Sequence, residues 1–228
     1  MILRKWEELP EELRIDEVKP YYDILSKKKG SLYVKRIFDI VVSLVMLIIL
    51  SPVFLILAIA IKVDSRGPVF YRQERITQYG KTFKIFKFRT MVNNADKIGT
   101  QVTINNDARI TRVGNFIRNY RLDEISQLLN ILVGDMSFVG TRPEVKKYVD
   151  AYTPEMMATL LLPAGVTSLA SIRYKDEAKL LEQADDADKA YIEKVLPGKM
   201  GYNLAEIKKF SFCNDIKLMV LTVGAVVK

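Results

Sequence analysis

The side chains best suited to chemistry crowd into one stretch of the chain. Asp123 and Glu124 stand next to each other in Arg121-Leu122-Asp123-Glu124-Ile125. Adjacent helical residues point about 100° apart, so the two acids would line two sides of a groove rather than pair. If a helix starts near Tyr120, both lie in its first turn, where the helix dipole favours carboxylates. Acids at helix starts are also ordinary. Arg109, Arg112, Arg118 and Arg121 surround them, and no acid intervenes between Asp107 and Asp123. A guanidinium fork grips phosphate oxygens at two points, which favours a function over a charged surface run. Arg142 sits in the Gly134–Pro143 loop, which taken alone is a turn. Lys84, Lys87 and Arg89 alternate with Phe83, Phe86 and Phe88. That pattern suits phosphate or nucleic acid binding, and equally a solvated sheet face.

Residue types that are missing narrow the chemistry. The 228 residues include no histidine, which removes Ser/His/Asp and Cys/His catalysis and His-ligated metals. The one cysteine, Cys213, cannot form an intramolecular disulfide, which suits a reducing compartment. Carboxylates, hydroxyls, Lys and Arg must therefore carry any reaction. The net charge of +8 implies a polyanionic partner, be it nucleic acid, an anionic lipid surface or a phosphate-bearing substrate.

The elements that position these residues begin with an apolar run. Ile40 to Ile61 is free of charge, about 33 Å as a helix against a bilayer core of about 30 Å. Basic residues flank both ends: Lys35 and Arg36 before it, Lys62 and Arg66 after it. Both ends therefore favour the cytoplasm. Proline removes a backbone donor, so Ser51-Pro52 at the centre is expected to break the helix, with the serine hydroxyl serving a freed carbonyl. A re-entrant hairpin broken at Ser51 and Pro52 satisfies both features. The pattern divides the chain into a charged extension over 1–34 that could lie on the membrane surface or remain partly ordered, a membrane segment over 35–66, and a cytoplasmic catalytic domain over 67–228. Within that domain, two strands flank a turn at Gln78–Lys81, and one helix runs from Phe116 to Leu132 with Gly134 ending it. Short helices start at Pro143 and Pro154. A charged helical stretch over Lys175–Leu196 breaks at Pro197-Gly198. Ile216–Val227 is apolar but too short to span. The fold class is α+β: a re-entrant membrane helix-hairpin joined to a compact, mostly helical domain with a small β-hairpin.

The motifs occur in a recognisable order. Lys35-Arg36-x-x-Asp39, Ser51-Pro52, Lys87-Phe88-Arg89-Thr90-Met91, Asp107-x-Arg109-Ile110-Thr111-Arg112-x-Gly114, Leu122-Asp123-Glu124 and Gly134-Asp135-Met136-Ser137-Phe138-Val139-Gly140-x-Arg142-Pro143 follow one another. In that order and spacing they resemble the bacterial sugar transferase family, the small monotopic phosphoglycosyl transferases. The resemblance is close from Lys35 to Pro143 and looser beyond.

The resemblance implies transfer of a sugar 1-phosphate from a UDP-sugar to a polyprenyl phosphate such as undecaprenyl phosphate, releasing UMP. It implies Asp123 and Glu124 as catalytic and Mg2+-binding residues, and a catalytic domain on the cytoplasmic face of a bacterial inner membrane. Arg118 corresponds to a family phosphate-binding arginine, and Arg142-Pro143 to a motif near the nucleotide. Lys87, Arg89, Arg109 and Arg112 complete the expected phosphate-binding set. Membrane lipids are expected partners, nucleic acid is not, and the sequence allows a homodimer. An aspartate is already ionised at neutral pH and needs no histidine to activate it. Its attack on the donor's β-phosphorus would give a covalent acyl phosphate able to pass its group onward. Departures from the family pattern are Ser126 and Thr141, each in place of proline, and Ser168 in place of glycine. They bear on which sugar or acceptor is used rather than on the chemistry. A membrane-anchored scaffold and a basic nucleic-acid module are the rival readings.

Overall fold

The computed structural model describes residues 3–93, 95, 107–174, 177 and 186–227. At the N-terminus, two 3-10 turns, Trp6–Glu8 and Glu11–Leu13, lead into helix α1 (Lys19–Ser26). The apolar residues scattered among the acids all turn the same way. Leu3, Leu9, Leu13, Val18 and Leu25 are at most 4% exposed. They form one cluster with Ala158, Leu160, Leu161, Leu204, Ile207 and Phe210. This corrects the expectation of a separate charged extension over 1–34. Those side chains are protein core, and the supposed boundary falls inside the next helix.

Helix α2 (Lys29–Asp64) is 36 residues long, about 54 Å at 1.5 Å per residue. It is long and apolar enough to cross a membrane. The two arms expected on either side of Pro52 form one helix that continues through it. Pro52 offers no N–H to the carbonyl four residues back, that of Ile48. The Ser51 hydroxyl donates to the same carbonyl at 2.8 Å, and so takes up the acceptor the proline leaves.

Both ends of α2 are tied to one body. Near its start, Arg36 donates to the carbonyls of Ile131 (2.6 Å) and Leu132 (2.9 Å). Near its end, Leu57 and Ile61 pack with Phe88 and Ile117, and Asp64 accepts from the Val113 amide at 3.0 Å. Between these anchors, Val41, Ile48, Ile49, Leu55, Ile56 and Ile59 are exposed.

Strands β1 (Phe70–Ile76) and β2 (Thr82–Phe88) pair antiparallel, from Phe70↔Phe88 to Ile76↔Thr82. The Gln78–Gly80 turn joins them with Tyr79 and Gly80 at positive φ. The single helix expected over Phe116–Leu132 is split. Helix α3 (Arg112–Asn119) ends, Arg121 turns into the left-handed region at φ 52°, and a 3-10 segment, Leu122–Gln127, leads into α4 (Leu128–Val133). Gly134, at φ 96°, ends α4 as its position in the sequence implies.

A second sheet was not foreseen. Strand β3 (Met136–Val139) lies parallel to β4 (Ala164–Thr167), and the two touch through glycines just past and within them. A Cβ on Gly165 would stand 2.1 Å from the Gly140 nitrogen, so neither strand could approach with a side chain there. The crossover holds α5 (Lys146–Val149) and the 3-10 turn Met156–Leu161, shorter than the helices expected after Pro143 and Pro154. Helix α6 (Leu169–Arg173) starts at Ser168, whose Oγ accepts from the Ser171 amide at 3.0 Å. Helix α7 (Ala187–Ala190) passes through a π-turn, Tyr191–Val195, into α8 (Leu196–Lys208). Pro197-Gly198 therefore lies within a continuous helical run, just past the π-turn, instead of breaking one. The expected helical stretch from Lys175 lies outside the described residues up to 185, save Glu177. Helix α9 (Phe212–Val227) closes the chain.

Candidate active site

The left-handed turn at Arg121 re-aims the chain so that Asp123 and Glu124 occupy the first turn of the 3-10 segment. Leu122 and Ile125 fix that segment by packing on the Leu57, Ile61, Phe88 and Ile117 cluster. On the other side, the fully buried Asn130 joins β2 to α4. Its Nδ2 donates to the Lys84 carbonyl (3.1 Å) and its Oδ1 accepts from the Phe86 amide (2.8 Å). That register brings Lys87 over Glu124. Asn130 drew no notice in the sequence, although a polar residue within Leu128-Leu129-Asn130-Ile131-Leu132 is a visible signal.

Glu124 is the electrostatic centre. Its Oε1 accepts from Lys87 Nζ at 3.1 Å and from Arg142 Nη2 at 2.5 Å. Burial alone would push its pKa up, but the charges of Arg142 and Lys87 outweigh burial and hold the carboxyl well below the usual carboxylate range. Asp123 differs. Its half-buried carboxyl makes no ion pair among the described residues, and burial, opposed chiefly by Lys87, raises its pKa. Glu124 raises it further, and Arg118 on α3 lowers it. Two adjacent carboxylates thus stand in different states: Oε1 of Glu124 is paired with two cations, and Asp123 makes no such pair among the described residues.

Not every expected residue joins them. Arg142 and Lys87 meet at Glu124, and Arg118 acts on Asp123 through its charge. Arg112 is exposed at the start of α3. Arg89 is buried at the far end of α2, where it donates to the carbonyls of Ser65 (2.7 Å) and Arg66 (2.9 Å). Arg109 is closed on Asp107 at 2.6 Å and on the Ala95 carbonyl at 2.9 Å. Asn106, beside that pair, lies outside the described residues.

These structural roles account for the motifs. Thr111 accepts from the Gly114 amide at the start of α3, and its own amide donates to the Thr90 carbonyl at 3.0 Å. A Cβ on Gly114 would meet that carbonyl oxygen at 1.9 Å, so the segment after β2 and the start of α3 pack backbone to backbone. Likewise Lys35, buried in α2, donates to the Val139 carbonyl (2.8 Å) and to Asp215 Oδ2 of α9 (2.5 Å). Asp39 accepts from the Phe138 amide at 3.2 Å. Helix α2 is thereby bolted to β3, the strand that leads into the Arg142 loop.

No group of three or more Asp, Glu, His or Cys side chains converges among the described residues. A magnesium ion is typically held by one or two carboxylates with substrate phosphates and water completing its shell. Asp123, which makes no ion pair among the described residues, with Glu124 beside it, fits that donor set.

Residues 30–228 match the family model described as bacterial sugar transferase. The chain is 37% identical over 195 residues to a UDP-glucose:undecaprenyl-phosphate glucose-1-phosphate transferase of Klebsiella pneumoniae, covering 83% of this chain and 39% of that protein. It is 33% identical over 197 residues to a UDP-N-acetylgalactosamine-undecaprenyl-phosphate N-acetylgalactosaminephosphotransferase of Aeromonas hydrophila, covering 85% and 44%. The exopolysaccharide production protein ExoY of Sinorhizobium fredii is 36% identical over 158 residues, covering 63% and 70%. The chain thus spans about two fifths of the first two relatives. A match that takes in α2, the Asp123-Glu124 turn and the Arg142 loop together leaves one assignment, and the chain belongs to the bacterial sugar transferase family.

Proposed function

We propose that this chain transfers a sugar 1-phosphate from a UDP-sugar to a polyprenyl phosphate, undecaprenyl phosphate in particular, releasing UMP. It would act at the cytoplasmic face of a bacterial inner membrane, as the first membrane step in building a polysaccharide or related glycan. The observation that carries the reading is the inequality of Asp123 and Glu124. One carboxylate pairs with Lys87 and Arg142, and its neighbour makes no ion pair among the described residues, which leaves it available as the nucleophile.

In this reading the Asp123 carboxylate attacks the donor's β-phosphorus. The bond from that phosphorus to the bridging oxygen breaks, and UMP leaves with the electron pair. The aspartyl phosphosugar is an acyl phosphate. An oxygen of the polyprenyl phosphate attacks it, forms the diphosphate linkage and returns Asp123 as a carboxylate. Arg142 and Arg118 supply charge to the phosphates, and the Lys87–Glu124–Arg142 triad keeps Arg142 aimed during the exchange. Asp123 and Glu124 would hold magnesium, which when bound offsets charge on the diphosphate.

Helix α2 brings the site to its lipid substrate. Lys35, Arg36 and Asp39 at one end and Ile61 and Asp64 at the other all bind the same body. A body on one side of a bilayer cannot hold both ends of a helix that crosses it, so we read α2 as re-entrant. The exposed Ile48, Ile49, Leu55 and Ile56 would then face acyl chains. UMP release from a panel of UDP-sugars, measured with polyprenyl phosphate in detergent or nanodiscs, tests the assignment. Release with no sugar in the panel would overturn it.

A further inference from the structure

Beneath the Arg142 loop lies a buried polar cluster that the proposed reaction does not use. Glu144 is two residues beyond Arg142 and only 7% exposed. Its Oε1 accepts from the Tyr191 hydroxyl at 2.5 Å, and Lys199 Nζ lies 3.5 Å away. Lys199 is itself 4% exposed and donates to the Tyr191 oxygen at 2.8 Å. A second acid, Glu177, stands 3.0 Å from the same ammonium. Tyr191 opens the π-turn between α7 and α8, and such turns in helices often mark functional positions.

The cluster is placed to act on Arg142. The loop from Gly140 to Glu144 is held at both ends by backbone bonds, Gly140 N to Thr167 O at 3.0 Å and Ile76 N to Glu144 O at 2.9 Å. Between them, Arg75 Nη1 donates to the Pro143 carbonyl at 3.3 Å. The Glu144 side chain links this loop to α8 through Lys199. Glu144 and Glu177 are also the acids, besides Glu124, that draw on the Arg142 charge. With Tyr191 and Lys199 in place, Glu144 is occupied. Without them, Glu144 would be an unpaired carboxylate two residues from Arg142, a rival to Glu124 for its charge.

We infer that Glu144, Tyr191 and Lys199 form a positioning network that keeps Arg142 on Glu124, and through it on the donor phosphate. The last clause rests on the transferase reading; the first does not. The network acts through Arg142, and none of its members touches the reacting atoms.

Two readouts separate these layers. The first needs no turnover: phenylglyoxal modification of Arg142 in the full chain, followed by mass spectrometry. Tyr191→Phe removes only the bridging hydroxyl, so Arg142 should react about fivefold faster, the factor typical of one lost hydrogen bond. Glu144→Gln keeps an acceptor for the tyrosine and removes the competing charge, so it should leave the rate near that of wild type. An unchanged rate in Tyr191→Phe that retains wild-type thermal unfolding overturns the network. The second readout is UMP release. Tyr191→Phe should lower kcat on the order of tenfold, as small misplacements of a binding group do. In an Arg142→Ala background it should cost nothing more. Additive losses would make the cluster merely structural. Absence of UMP release by the wild-type chain would sink the transferase reading and leave the modification result to decide the network alone.

Discussion

Removing Lys35 offers a quantitative test of how α2 is fastened to the catalytic body. Its ammonium is buried, with the side chain 4% exposed, and it faces the Asp215 carboxylate, 10% exposed, at 2.5 Å. Lys35→Met keeps the volume and strands Asp215 without its cation, beside Asp39. Breaking a buried pair by deleting one partner costs about 3–5 kcal/mol. The lost bond to the Val139 carbonyl is part of that sum. In a domain of this size each kcal/mol moves the midpoint by about 2–4 °C, so the single variant should unfold roughly 6–20 °C below wild type. The double variant Lys35→Met/Asp215→Asn removes the stranded charge. It should recover about 0.5–3 kcal/mol relative to the sum of the two single losses. Thermal unfolding in one detergent, followed by circular dichroism, measures all four proteins. Strict additivity of the two single losses would refute the claim that this ion pair is a unit.

Other perturbations follow from the geometry. Gly165→Ala drives a methyl into the Gly140 backbone, where the gap is 2.1 Å. Separating β3 from β4 should cost about 1–3 kcal/mol or more, read as a fall in thermal midpoint. Ser51→Ala leaves the Ile48 carbonyl without its hydroxyl donor, and Pro52→Ala restores the backbone donor. Pro52→Ala should shift cysteines engineered near Lys35 and Arg66, in a background lacking Cys213, from equal labelling on one face toward mixed labelling. Unchanged one-sided labelling would remove Pro52 from the account of topology. Arg142→Lys keeps the charge but loses the guanidinium fork and should still raise the donor KM, whereas an unchanged KM would count against a phosphate contact. Hydrogen bonds from Arg109 lower the Asp107 pKa to about 2. A carboxylate held below its unfolded value stabilises above that unfolded value and loses the effect as pH falls through about 2. Asp107→Asn should therefore flatten the loss of stability between neutral and strongly acidic pH, and an unaltered acid limb would contradict this.

Local signals in the sequence proved the most readable. Periodicity and glycine marked β1, β2 and the end of α4, and an uncharged run marked α2. The break in the Phe116–Leu132 helix was hidden because nothing in Tyr120-Arg121 resembles a helix stop. Arg121 takes a left-handed conformation without glycine or asparagine to announce it. The N-terminal residues misled for a different reason. Their acids suggested a solvated extension, and the partner surface that buries Leu9, Leu13 and Leu25 lies more than a hundred residues away. The β3–β4 pair was equally non-local. At the site, the family resemblance singled out Asp123, Glu124, Lys87 and Arg142, while Arg89 and Arg109 looked alike in sequence and differ in space. Only the fold shows that one caps α2 and the other closes on Asp107. The Glu144–Tyr191–Lys199 cluster gave no pattern at all, since its members come from three separate elements.

The central claim is that Asp123 carries the sugar phosphate covalently. A UDP-sugar labelled with phosphorus-32 in its β-phosphate, incubated with the protein and magnesium without polyprenyl phosphate, tests it most directly. The account predicts acid-stable recovery of label on the wild-type protein in step with UMP release, discharge of that label when acceptor is added, and no label on Asp123→Asn. Label on Asp123→Asn equal to wild type, or UMP formed only when both substrates are present, would contradict it.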